Sequence, residues 1–230
     1  MPNNNQNKEK LAVAKAAVAF VKHNDIVGLG TGSTAALAIK ELAKLIKNGL
    51  KITGVPSSVK TQQMAISLGI PLLELGKVHS IDISIDGADE FTEELNLIKG
   101  GGGALFREKI MASLSKNSII ITDSSKKVNK LGAFKVPVEV NPNACQYVLD
   151  ELKKLKGIAN LRITNNEIFI TDNQHYIIDV DFGLIENPEQ LAAQLNQIDG
   201  ILAHGLFIKL TTKILMAKDG DILTYTNRKI

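Results

Sequence analysis

The chain has 230 residues, 44% of them hydrophobic and 22% charged, with a formal net charge of +3. That length buries a substantial core, in one large domain or one plus a small partner. The mild charge, with no basic tract, argues against nucleic-acid binding and leaves a small anionic substrate open. A single cysteine, Cys145, excludes an intramolecular disulfide and fits a reducing, cytoplasmic setting.

The opening "MPNNNQN" reads as a disordered tip. After it, Leu11, Ala14, Val18 and Val21 recur at helical spacing, with Lys15 and Lys22 off that stripe. The run is too short to span a bilayer and predicts a surface helix rather than a membrane anchor or signal peptide. "DIVGLG" (25–30) predicts a buried strand, and "STAALAIKELAKLIKNG" (33–49) a helix with a Ser or Thr N-cap and a terminal glycine. Strand 51–57 and helix 58–70 follow, the helix again closed by glycine. Strand 81–86, helix 104–115 and strand 117–123 complete an alternation typical of βαβ units and a mainly parallel sheet.

Beyond residue 130 the pattern changes to strand 136–140, helix 143–155, strands 160–164, 167–171 and 176–182, and helix 188–198. Asn165 and Asn166 tolerate positive φ and mark a hairpin. This resembles a split βαβ order, β-α-β-β-α-β, provided one short strand is merged or misplaced. Residues 205–226 add two or three strand-like pieces around a "KDGD" turn. The expected class is therefore α/β, a mainly parallel sheet domain (1–129 plus 205–230) with a smaller α+β domain (130–204) inserted near the C-terminal end.

Four loops at strand ends carry polar chemistry. "GLGTGSTA" (28–35) joins a strand to a helix whose free N–H groups and dipole suit a phosphate. The lysine of a P-loop is absent, and so are the third glycine and the distal acid of a dinucleotide fingerprint. "DISIDGADEF" (82–91) ends in Asp86 and Asp89 with Glu90 beside them. Asp82 alternates with isoleucines, which puts it on another face. No histidine is placed to complete a metal site, and the four histidines stand isolated. "KGGGGALFREK" (99–109) sets four glycines between Lys99 and Glu108, and "TDSSKK" (122–127) brings Lys126 to a strand end. A phosphate cradle, paired carboxylates, a cation for an oxyanion and a candidate base suit proton transfer beside the carbonyl of a sugar phosphate.

These stretches, with "LGAFKVPVEV" and "GILAHGLF", closely resemble ribose-5-phosphate isomerase type A, in that family's order and over almost the whole chain. The resemblance implies a Rossmann-like domain with a ferredoxin-like partner, assembled as homodimers or homotetramers. It also implies interconversion of ribose 5-phosphate and ribulose 5-phosphate without metal or cofactor. Carried over by motif, Thr31, Gly32, Ser33 and Thr34 contact the substrate and its phosphate. Asp86, Gly87, Ala88 and Asp89 line the sugar site, and Lys99, Gly100, Gly101 and Gly102 form the second wall. Glu108 matches the general base, Lys126 a later substrate lysine and Lys10 a lysine near the phosphate. Asp86 and Asp89 would assist proton movements, and Lys99 would meet the charge of an enediolate. The run of four glycines departs from an expected three plus a small residue, and Gly103 has no role beyond starting a helix. Three other readings compete: a glucosamine-6-phosphate-type isomerase or deaminase, a sugar-phosphate-sensing regulator, and a nicotinamide dehydrogenase. The missing ribose-binding acid disfavours the last, and the lack of a helix-turn-helix the second.

Overall fold

The computed structural model describes residues 4–226. Its first half runs α1 (Asn4–Val18), β1 (Ile26–Leu29), α2 (Ser33–Lys47), β2 (Thr53–Pro56), α3 (Val59–Ser67) and β3 (Ile81–Asp86). It continues through β4 (Glu90–Phe91), β5 (Leu97–Ile98), α4 (Leu105–Leu114) and β6 (Ser115–Asp123). The second half is β7 (Val136–Val140), α5 (Cys145–Lys154), β8 (Ile158–Leu161), β9 (Ile163–Thr164), β10 (Glu167–Ile168), β11 (Tyr176–Asp181), α6 (Pro188–Leu195), β12 (Ile201–His204), β13 (Leu206–Phe207), β14 (Lys213–Lys218) and β15 (Asp221–Thr226).

The main sheet has the order β15-β14-β6-β3-β1-β2, parallel except for the edge hairpin strand β15. Both faces are covered, as parallel sheets require. Ile119 and Ile121 of β6 join Val27, Leu29, Ile83 and Ile85 in one core with α1 and α2, while Ile120 faces the other way, with Phe91, Ile214 and Met216. The chain leaves β1 for β2 and returns to β3 on the opposite side of β1. The topological switch point therefore lies between the carboxyl ends of β1 and β3, where a crevice opens in such sheets.

A four-stranded antiparallel sheet, β12-β7-β11-β8, carries α5 and α6 and its own core around Val138, Val148, Leu152, Ile178 and Leu195. This is the split βαβ arrangement. The strand expected at 167–171 is in fact β10, paired with β9 in a separate hairpin, and the closing strand of the sheet is β12, "ILAH", which the sequence reading did not assign. Asn165 (φ 54°) and Asn166 (φ 65°) make the hairpin turn, and Asp219 (φ 52°) and Gly220 (φ 93°) make the last one. A third sheet, β13-β5-β4, links the two halves. The N-terminal tip differs from expectation: helix α1 already includes Asn4, and residues 1–3 lie outside the described residues. Among the described residues no helix is long and apolar enough to cross a membrane.

Candidate active site

At the switch point lies a cavity of about 170 Å³. It is well below the size of drug-sized ligand pockets. One wall is the turn from β1 into α2. The backbone there must pass against β3, because a Cβ on Gly30 would sit 2.2 Å from Asp86 Oδ1. Gly32, at φ 110°, is the N-cap of α2 and provides no side-chain cap. The Ser or Thr cap expected from sequence is thus absent. Ser33 and Thr34 open the helix instead, leaving its first N–H groups free for an anion. Lys10 of α1 donates from Nζ to Ser33 Oγ at 3.2 Å. Lys126, in the 3₁₀ turn Ser124–Lys126, lines the same cavity and has no carboxylate partner among the described residues. Two cations and an open helix end thus face one small cavity.

Thr31 lines the cavity, but its hydroxyl is held in a cluster with Ser57 Oγ (2.8 Å), Ser58 Oγ (2.9 Å) and Thr61 Oγ1 (3.2 Å). These three residues, from the end of β2 and the start of α3, were not read from sequence. Nor were Gln6, Thr122 and Asp123, which also line the cavity. Asp123 Oδ1 accepts from Ser125 N (3.1 Å) and Gln6 Nε2 (3.3 Å), which fixes the turn that carries Lys126. A hydroxyl or amide becomes readable as a site residue only once the fold brings it there.

The opposite wall holds Gly87, Ala88, Asp89, Lys99, Gly100, Gly102 and Glu108. Asp86 and Gly101, assigned to the substrate site from sequence, do not line the cavity. Asp86 Oδ1 accepts from Thr31 N (3.1 Å) and Gly87 N (2.7 Å), so this carboxylate ties the two loops together from behind. The Gly101 N–H turns to Asp89 Oδ2 at 2.8 Å. Glu90 faces away and accepts from Gly132 N and Phe134 N. Asp82 lies on the other face, as its alternation implied, bonded to Ile26 N and Lys116.

Lys99, Asp86 and Glu108 are each only 3% exposed. The Lys99 ammonium lies 3.0 Å from Asp86 Oδ2 and 3.4 Å from Glu108 Oε2, and donates to Gly87 O at 2.6 Å. Neither carboxylate oxygen facing it receives a well-directed hydrogen bond among the described residues. One cation thus serves two buried acids. Burial pushes the Glu108 carboxyl up to about 8, opposed by the Lys99 charge and reinforced by Asp86 and Asp89. Burial alone would lower the Lys99 pKa, but Asp86 and Glu108 more than offset it and hold the ammonium above its ordinary range. Glu108 reaches this position because α4 starts immediately after the glycine run, placing it in the first turn. Its neighbour Lys109 points away, to Leu206 O and the Phe207 ring.

The four glycines have separate reasons. Gly100 (φ 100°) and Gly103 (φ 78°) need the left-handed region. A Cβ on Gly103 would also lie 2.4 Å from Phe169 Cζ, so the fourth glycine accommodates that ring. A Cβ on Gly101 would meet the Asp89 carboxylate. At Gly102 the nearest atom to a Cβ is Thr31 Cγ2 at 3.6 Å, and φ is not positive, so nothing in the protein excludes a side chain.

The family model of ribose 5-phosphate isomerase A (phosphoriboisomerase A) matches residues 53–221. The chain belongs to the ribose 5-phosphate isomerase A family. It is 44% identical to ribose-5-phosphate isomerase A of Sphingopyxis alaskensis over 220 residues, 96% of each chain. The solved ribose 5-phosphate isomerase A of Methanocaldococcus jannaschii superposes with a TM-score of 0.92 at 39% identity, over 96% of this chain and 99% of that one. A D-ribose-5-phosphate isomerase solved in complex with phospho-erythronic acid gives a TM-score of 0.92 at 36% identity, over 96% and 98%.

Proposed function

We propose that this chain interconverts D-ribose 5-phosphate and D-ribulose 5-phosphate through a cis-enediolate, in the non-oxidative pentose phosphate pathway. The observation that carries the reading is the buried Lys99 between Asp86 and Glu108, set across a small cavity from an open helix end and two lysines. The phosphate sits at the start of α2, against Ser33 and Thr34, with Lys10 and Lys126 supplying charge. The furanose ring must open first. That proton movement is assigned to the Asp86–Asp89 pair, Asp89 on the cavity wall and Asp86 one layer behind. Glu108 then takes the C2 proton and returns it to C1. A base poised near the working pH is effective in this role, typically by 10²–10⁴ in rate, and burial has moved Glu108 in that direction. As the carbonyl oxygen becomes negative, Lys99 and the N–H groups of the glycine loop receive it, which requires the loosest contact of Lys99, that to Glu108 at 3.4 Å, to yield. Preorganised donors of this kind contribute roughly 3–4 kcal/mol each.

Residues 1–129 with 205–230 are read as the catalytic unit and 130–204 as the smaller one, a division supported by their separate cores. Assembly as a homodimer or homotetramer and a cytoplasmic setting complete the proposal, the former checked by light scattering. A coupled assay with ribose 5-phosphate and, in parallel, glucosamine 6-phosphate, each with and without chelator, tests the activity. Turnover of the pentose alone, unaffected by chelator, supports the reading. Preference for the amino sugar or loss with chelator overturns it.

A further inference from the structure

The smaller sheet reaches the glycine wall through one side chain. Arg162, between β8 and β9, donates from Nη1 to Gly100 O (3.1 Å) and Gly101 O (3.2 Å). Its Nε bonds Asp179 Oδ2 at 2.8 Å and its Nη2 bonds Asp179 Oδ1, a two-point ion pair with β11. The guanidinium also lies 5.7 Å from the centroid of Phe169, the ring that packs on Gly103. The arginine backbone is fixed as well, its N–H on Ile177 O and its carbonyl accepting from Phe169 N.

A trans peptide is planar, so its C=O and N–H point in opposite directions. The Gly100–Gly101 peptide follows this rule visibly. Its carbonyl is on Arg162 and its N–H is on Asp89. In the next peptide the Gly101 carbonyl is again on Arg162, and the Gly102 N–H, pointing away from the guanidinium, has no acceptor among the described residues. Gly102 lines the cavity. We propose that Arg162 is a positioning residue: by holding the carbonyls of Gly100 and Gly101 it aims the Gly102 N–H at the substrate oxygen that becomes negative. Asp179 matches the arginine charge, so Arg162 acts through peptide orientation and not as a cation on the substrate. The inference rests on the isomerase reading of the same site.

The test compares the parent with Arg162→Ala and Asp179→Asn. Loss of aim at an oxyanion donor is expected to lower kcat of Arg162→Ala by about 10–100-fold, the scale of a misplacement of about 1 Å, with KM for ribose 5-phosphate little changed. Affinity for phospho-erythronic acid, which carries a carboxylate near the reacting end, should fall by a similar factor. Affinity for inorganic phosphate should hold, and millimolar guanidinium should restore part of kcat. Asp179→Asn keeps the arginine but loosens it, and should show a smaller loss with the same ligand pattern, which decides the question if Arg162→Ala does not fold. A kcat within twofold of the parent in the folded variants overturns the proposal, and so does a parallel loss of both ligands. If the parent does not isomerise ribose 5-phosphate, the functional reading fails, while the two ligand affinities still decide the role of Arg162.

Discussion

Replacing Gly102 by alanine separates what the substrate needs from what the fold needs. The added methyl would meet only Thr31 Cγ2, at an ordinary 3.6 Å, and the residue does not have positive φ. Stability should hold, or rise by up to about 1 kcal/mol through a less free unfolded chain. The methyl instead occupies the cavity. One methylene-sized misfit in a pocket is worth about 1–3 kcal/mol, or roughly 10–200-fold in kcat/KM. Gly103→Ala is the internal control, because its φ of 78° and the Phe169 ring 2.4 Å from the new carbon belong to the fold. Left-handed backbone costs a residue with a side chain about 1–2 kcal/mol and overpacking about 1–3 more. The assay pairs denaturant unfolding with steady-state kinetics on ribose 5-phosphate. Gly102→Ala should be stable and slow, and Gly103→Ala should be clearly less stable. Unchanged kcat/KM in Gly102→Ala would refute the idea that the bare backbone at 102 makes room for the sugar.

Further outcomes follow from the charges and the loops. Glu108 must be ionised to take a proton, and burial lifts it to about 8 from an ordinary 4.5, so kcat/KM should climb with pH through about 8. Lys99→Met removes the charge that opposes this lift and should move what activity is left to higher pH. Because the folded-state value is raised, the stability linked to Glu108 is full below about 4.5 and is lost as pH rises through about 8. Glu108→Gln should therefore flatten the decline of urea midpoints across that window. Lys126→Ala should raise KM with little change in kcat, and the gap to the parent should narrow in salt, since a partly exposed cation at a phosphate is screened. Gly30→Ala places a carbon 2.2 Å from Asp86 Oδ1 and should destabilise by about 1–3 kcal/mol, read by thermal unfolding.

The parallel sheet was legible because its strands are short apolar runs between amphipathic helices, and the glycine turns stood at their ends. The edges of this reading have physical causes. β12 was missed because "ILAH" is four residues long and one of them is a histidine, buried here through bonds to Asn196 and Lys109. Asp86 was read as a substrate ligand from its motif, but the fold spends its Oδ1 on two backbone N–H groups. Local spacing cannot show which oxygen of an acid is already taken. Ser57, Ser58, Thr61 and Arg162 carried no local signal, since each gains its meaning from partners more than twenty-five residues away. Gly103 became intelligible for the same reason, once Phe169 was seen against it.

The central claim is that Glu108 moves the proton between C2 and C1. Ribose 5-phosphate incubated in D₂O and followed by proton NMR reports both net isomerisation and exchange at those carbons, in the parent and in Glu108→Gln. The account predicts turnover for the parent, with deuterium at C1 to the extent that the proton held on Glu108 exchanges with solvent before it is returned. For the variant it predicts loss of both processes by at least about 10²-fold, with phospho-erythronic acid still bound. Isomerisation or exchange in Glu108→Gln at a rate near the parent's would contradict it.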